Sequence, residues 1–269
     1  MTSNYNTILN VLDTINKEVN VSVYVPSLKR EVKFKNTNTG QQKALLKAAV
    51  DNPVFQTRFT IALYNLIAEN CTEPEVVKHL TTIDSAAIAI QLRIATTGAQ
   101  HVIAQGGRKY NVDLAPIVER FKAFEPLDPA VINESPFTIN VEMPLFVEQF
   151  NLEKQLREKN LNDQQIVSTQ LTDTIGDAFV GEVSKYIKEI TVFHNNAETV
   201  LDYKTLPYIK RHAVLEKLPS TVVKNVLKYM EKYVNKQKDI LTVSGTDTET
   251  GEVVNDLVVL VDAALFVIN

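Results

Sequence analysis

Side chains able to do chemistry are few in this chain and poorly grouped. The four histidines, His79, His101, His194 and His212, stand far apart, with neither metal-ligand spacing nor an adjacent carboxylate partner. A single cysteine, Cys71, excludes an internal disulfide and a thiolate zinc site within one protomer. Asp247, Asp256 and Asp262 do not follow the order of a calcium loop, and the paired Glu and Glu-x-x-His pattern of a di-iron bundle is missing. No local Ser, His and Asp grouping places a nucleophile beside a base. Gly106-Gly107-Arg108-Lys109 could suggest an anion site. It lacks the strand–glycine–helix context and the Gly-Lys-Ser/Thr ending of a nucleotide-binding loop, so a β-turn with two solvated bases fits better. Lys224, Lys228, Lys232, Lys236 and Lys238 lie on one expected helix and just past it, offset in part by Glu231 and Asp239. They form either a solvated face or an electrostatic docking surface. These residues move the expectation away from an enzyme, and no cofactor or metal is expected.

The composition is that of a folded chain. With 45% hydrophobic and 22% charged residues over 269 positions, the sequence can build one large core or two modest domains. A formal charge of -4 argues against general nucleic-acid binding, which needs a concentrated positive surface. The opening residues Met1–Asn10 have no basic region ahead of an apolar core, so no secretion signal is expected. Membrane insertion is not expected either, because the longest apolar candidate, Leu257–Ile268, is short and broken by Asp262. Abundant Asn, Thr and Gln beside many Val and Ile suit surfaces that pack against partners.

The elements that must position these residues follow from periodicity. Val21, Val23 and Val25, then Val32 and Phe34, alternate as a two-stranded ribbon bent at Pro26 and Ser27. After Gly40 the spacing becomes helical through Ala44, Leu45, Ala48 and Ala49. Another helix opens at Pro53 and presents Phe55, Phe59, Ala62, Leu63, Leu66 and Ile67, with Tyr64 off that face. Alanine-rich Ile83–Ile94 reads as a close-packed inner helix, capped by Thr82 or Asp84, with Arg93 near its end. Upstream, Ile8, Leu9, Leu12 and Ile15 form a stripe, either a short helix or an arm that orders on a partner. Gly98–Phe137 is expected to be an exposed insertion or linker with short strands. Phe137, Ile139, Val141 and Met143 alternate as a strand, expected to pair with Lys109–Leu114 or the ribbon. Helices are expected over Asp163–Ile190, Leu206–Glu216 and Val222–Tyr233, the last burying Val223, Val226, Leu227, Met230 and Val234. The C-terminal stretch predicts a hairpin through Val253–Leu260 and further β-prone chain over Val261–Ile268, tucked into the body or into a neighbouring subunit.

The expected fold class is therefore α+β: a predominantly helical body with an N-terminal β-ribbon, a mid-chain β-containing insertion and C-terminal β-strands. Three segments are expected, residues 1–97, 98–150 and 151–269.

The phrase Val25-Pro26-Ser27-Leu28, the Gln41-Gln42-Lys43 helix start, the Tyr64–Cys71 segment and the ending Val261-Asp262-Ala263-Ala264-Leu265-Phe266 are similar to the baseplate hub proteins of T-even-type contractile-tailed phages. The resemblance covers about the first quarter of the chain best and Gly98–Phe137 least. It marks Pro26, Phe34, Gln42, Lys43, Phe55, Tyr64 and Phe266 as positions of a shared fold, and carries over no catalytic residue. It implies a structural, hub-associated component of a virion baseplate, assembled in the host cytoplasm through contacts with other tail and baseplate proteins, with self-association open. An assembly chaperone absent from the finished particle is the alternative, and a small cell-wall hydrolase the remote one. Candidate contact residues are Arg108, Lys109, Lys224, Lys228, Lys232, Leu265 and Phe266.

Overall fold

Val23, Val25, Val32 and Phe34 are almost completely buried, and the ribbon they define anchors the first half of the chain. The computed structural model describes residues 20–50, 57–162, 179–195 and 197–266, together with Ile8 and Val11. These divide into two compact units, Met1–Glu125 with Lys238–Asn269, and Pro126–Gln237.

In the first unit, β1 (Asn20–Val25) and β2 (Arg30–Lys35) pair antiparallel, with Val23 opposite Val32 and Val21 opposite Phe34. A 3-10 turn at Pro26–Leu28 joins them and closes through Lys29 in the left-handed region, φ 50°. Helices α1 (Thr39–Val50), α2 (Thr57–Asn70), the single turn α3 (Pro74–Val77) and α4 (Thr82–Thr97) follow. Helix α4 opens with a reciprocal capping box between Thr81 and Asp84. Its residues from Ile83 to Ile90 are all buried, as small alanines alternating with isoleucines permit. Next come the hairpin β3 (Gln100–Gln105) and β4 (Arg108–Asp113), and helix α5 (Ala115–Lys122), which buries Ile117 and Phe121.

The second unit contains β5 (Ala130–Glu134), β6 (Phe137–Val141), α6 (Phe146–Asn162), β7 (Ile187–His194), β8 (Ala197–Asp202), α7 (Tyr208–Leu215) and α8 (Ser220–Leu241). Its four strands form an antiparallel sheet in sequence order. The chain then returns to the first unit with β9 (Thr242–Asp247) and β10 (Val253–Val258), completing a sheet of order β10-β9-β4-β3. Strands β4 and β9 meet through Tyr110–Asp247, Asn111–Thr246 and Val112–Gly245. A Cβ on Gly245 would lie 2.7 Å from Val112 Cγ1 and 2.8 Å from Leu257 Cδ1, so a larger residue fits this crossing only if those side chains shift.

The structure corrects the expected fold class. The described residues are about 50% helix and 29% strand, with three sheets, a mixed α+β protein and not a helical body carrying β appendages. Within Gly98–Phe137 the expected short strands are present: β3 and β4 belong to the first unit's sheet and β5 to the second's, and the polar outward residues of an antiparallel hairpin lend the stretch a loop-like composition. Strand β6 pairs with β5 and β7, neither with residues 109–114 nor with the ribbon. The expected helix Asp163–Ile190 lies outside the described residues over 163–178, and only 179–184 of the remainder are helical. Ile187–Val192 is rich in β-branched residues and joins the sheet. On α8 the buried residues include Val222, Val226, Tyr229, Tyr233 and Ile240; of the expected row Val226 is buried, Val223, Leu227 and Met230 are half-buried, and Val234 is exposed. The tyrosines supply larger buried area than the aliphatic residues beside them. Ala263–Phe266 forms a 3-10 turn, not a strand. The N-terminal stripe lies outside the described residues apart from Ile8.

Candidate interaction site

The Val25–Leu28 corner is held by two polar side chains of the buried helix α4. Asp84 Oδ1 accepts the Ser27 N–H at 2.8 Å, while its Oδ2 accepts the Thr81 N–H at 2.7 Å. One turn and three residues on, Gln91 treats the edge of β1 as a neighbouring strand would. Its Oε1 accepts the Tyr24 N–H at 2.8 Å and its Nε2 donates to the Tyr24 carbonyl at 2.9 Å. The opposite edge is covered by Thr72, whose N–H and hydroxyl both donate to the Lys33 carbonyl, at 3.0 and 2.9 Å. Of the positions carried by the resemblance, Pro26 and Phe34 are buried here. Gln42 is half-buried and Lys43 exposed on α1, Tyr64 is half-buried on α2, and Phe55 lies outside the described residues. Gln41 is the α1 glutamine with a tertiary role, exchanging amide hydrogen bonds with Asn70 at 3.1 Å.

Leu265 and Phe266, expected as contact residues, are 0% and 3% exposed and sit within the first unit's core. The Phe266 ring lies 6.4 Å from that of Phe59. Arg93, 4% exposed, ties this turn down without a carboxylate among its hydrogen-bond partners. Its guanidinium donates to three carbonyls: Leu265 at 2.7 Å, Gly98 at 2.8 Å and Gln100 at 3.2 Å. Burial lowers the pKa of Arg93, and burial together with Arg93 lowers that of His101. These are structural uses of charge, with no open face for a substrate.

Arg108 and Lys109 lie beyond the Gly106-Gly107 turn, whose φ angles of 60° and 81° suit glycine. Both side chains are exposed, but the turn is tied to the neighbouring loop. Arg108 approaches Asp247 at 3.5 Å, and the Lys109 carbonyl accepts the Thr248 N–H at 3.0 Å. Asp247 Oδ1 accepts the N–H groups of Glu249 and Thr250 at 2.8 and 3.1 Å. Those two hydrogen bonds, then Arg108, hold its carboxyl below the usual range.

In the second unit, Lys224, Lys228 and Lys232 are exposed at four-residue spacing along α8 and so share one face. A separate cluster surrounds the half-buried Lys204, which lies 2.5 Å from Glu142 and 3.2 Å from Glu148, while Lys188 lies 3.4 Å from Glu142. Burial pushes the Glu142 carboxyl up, but Lys204 and Lys188 outweigh it and the net shift is downward. The adjoining cleft, lined by Glu148, Asn151, Leu152, Gln155, Lys204, Leu206 and Arg211, holds about 140 Å³. That is below the roughly 300 Å³ at which small-molecule sites begin. Of its two cations, Lys204 is matched by two carboxylates and Arg211 donates to the Leu206 and Lys204 carbonyls. Behind it, Tyr186 packs edge-on against Tyr229 and Tyr233, at 6.3 and 5.9 Å. Burial, with Glu142 and Asp128, pushes the Tyr229 hydroxyl up to about 12.

Strand β8 is exposed along almost its whole length. Its register with β7 runs unbroken from Glu189–Asp202 to His194–Ala197. The Phe193 N–H points to the Pro136 carbonyl at 2.9 Å, so the odd residues of β7 face β6 and the even ones face β8. The ladder therefore uses Ala197, Thr199 and Leu201, and turns the backbone of Glu198, Val200 and Asp202 outward.

Sequence reasoning missed Gln91, Asp247, Lys204 and the β8 edge. The N-cap is Thr81 and neither Thr82 nor Asp84; Asp84 is the N3 partner in the capping box, and its reach to Ser27 was not legible. Among the described residues, no group of three or more His, Cys, Asp or Glu could hold a metal ion, and no helix is long and apolar enough to cross a membrane.

The buried polar groups join segments of the chain to each other, while charged faces and a strand edge lie open. The class so defined is a mixed α+β protein built of two compact units. Residues 17–259 match the family described as T4 bacteriophage base plate protein, and the chain belongs to that family. Membership gives it a structural role in a phage baseplate. No curated protein and no solved structure matches the chain.

Proposed function

We propose that the protein is a permanent, hub-associated component of a contractile-tail baseplate, assembled in the host cytoplasm and retained in the virion. It acts through contacts with other tail and baseplate proteins, without catalysis, cofactor, nucleic acid or membrane insertion. The family match over residues 17–259 carries this reading. The exposed row Lys224, Lys228 and Lys232 is proposed as one contact face, and Arg108 with Lys109 as another. Leu265 and Phe266 serve the unit's own core and are left out of the contact set.

Quantitative mass spectrometry of purified virions beside infected-cell lysate tests the reading. A fixed low copy number that scales with other tail proteins is the expected result. Abundance in lysate with absence from finished particles would overturn it in favour of an assembly chaperone. Reversing all three lysines to glutamate should leave the fold intact, since exposed substitutions of this kind shift stability by about 0.5 kcal/mol or less each. Incorporation into particles should fall.

A further inference from the structure

Exposed strand edges invite pairing, and folded proteins normally blunt them. Of the other five edges among the described residues, three carry such devices, while β3 and β5 pair without a bulge. The β1 edge is capped at Tyr24 by Gln91, and the β2 edge is covered by Thr72. Strand β10 breaks its register between Val254 and Leu257, with Asp256 at φ 62°. Strand β8 has no bulge, no proline and no lysine, and among the described residues no hydrogen bond from another segment reaches the N–H or C=O of Glu198 or Val200; only at its end does the Asp202 carbonyl accept the Thr205 hydroxyl, at 2.9 Å.

We propose that β8 is a strand-addition site for an extended, basic segment of another baseplate protein, an inference that rests on the baseplate reading above. The occupant follows from the charge along this edge. The residues whose backbone points outward, Glu198, Val200 and Asp202, also share one face of the sheet. On that face Glu198 lies across from Phe193 and Asp202 across from Glu189. The strand residues there contribute Glu189, Glu198 and Asp202 and no cation, and Val200 and Phe193 are 54% and 50% exposed. An incoming antiparallel strand centred on Val200 would place its residues two positions to either side against Glu198 and Asp202. Lysine or arginine there, flanking a β-branched apolar residue, completes the cross-strand pairs. A second copy of this chain is disfavoured, because the same register sets Glu198 against the other copy's Asp202 at both ends, and like charges directly opposite destabilise a sheet. Sliding by two residues removes the clash and shortens the ladder.

The test places the photocrosslinker p-benzoylphenylalanine at Val200 in the full chain, illuminates assembling baseplates and maps the adduct by mass spectrometry. The expected adduct joins a different tail protein at a segment with Lys or Arg two residues to either side of the attachment point. An adduct with a second copy of the chain, or with an acidic segment, overturns the proposal. So does the absence of an adduct in particles that contain the chain, an outcome that leaves the baseplate reading standing. Absence of the chain from particles removes both. With the crosslinker moved to Phe193, Val200→Pro deletes an outward N–H without touching the β7 ladder and should lower the adduct yield by roughly tenfold or more. An unchanged yield, with the far-UV spectrum retained, shows that the edge is not paired.

Discussion

Gln91→Leu keeps the side-chain volume on α4 and removes both hydrogen bonds to the Tyr24 peptide. Each bond contributes about 1 kcal/mol net, and a donor or acceptor left without a partner away from water costs about 1–3 kcal/mol. Tyr24 is half-buried, so water recovers part of that loss, and the expected destabilisation is roughly 2–4 kcal/mol. For a protein of this size, that lowers Tm by roughly 5–15 °C. The chain has no tryptophan, so thermal unfolding is best followed by far-UV circular dichroism, with hydrogen exchange at the Tyr24 amide as the local readout. Gln91→Glu sharpens the test. At neutral pH its carboxylate still accepts the Tyr24 N–H but has no proton to donate to the carbonyl, so it remains destabilised. Protonation restores the donor, which raises the folded-state pKa of this glutamate above the unfolded value of about 4.3. The recovered stability is therefore fully present below that value and lost as pH rises through the raised pKa. A loss below about 0.5 kcal/mol for Gln91→Leu, with unchanged Tyr24 exchange, would refute the idea that this side chain closes the ribbon edge.

Arg93→Met keeps much of the side-chain bulk but leaves three carbonyls without their donor, so urea unfolding should show a loss of about 3 kcal/mol or more. Faster proteolysis near Leu265 should accompany it. Gly245→Ala drives a Cβ into Val112 and Leu257, with the Asn111 carbonyl only 3.0 Å away, and should cost about 1–3 kcal/mol by thermal melting. Asp247→Asn weakens the anchor of the β9–β10 loop. The folded-state pKa of Asp247 is depressed, so its stabilisation is present above the unfolded value of about 3.9 and lost as pH falls through the folded value. The Tm difference between wild type and variant should thus be full at neutral pH and shrink in acid.

Local pattern was enough for several pieces of this protein. The alternation of Val23 and Val25 with Val32 and Phe34 is written in adjacent residues and reappears as buried strands, and the start of the alanine-rich helix was legible to within a residue, with Thr81 as its N-cap and Asp84 as the reciprocal partner. The same local signal was ambiguous around Ile187–Val192, where helical spacing upstream runs into β-branched residues that the sheet claims. On α8 the apolar count favoured aliphatic positions, whereas the packing selected Tyr229 and Tyr233. What only the tertiary structure decided is pairing at long range. Tyr110 meets Asp247, Gln91 meets Tyr24, and Arg93 meets Leu265, residues far apart in the chain. The open β8 edge belongs to the same class, since any strand-like stretch has two edges and its own residues do not say which neighbour fills them. Periodicity records which face of an element meets water. Strand order and side-chain reach depend on the free energy of the whole packed assembly, to which residues distant in sequence contribute equally with neighbours.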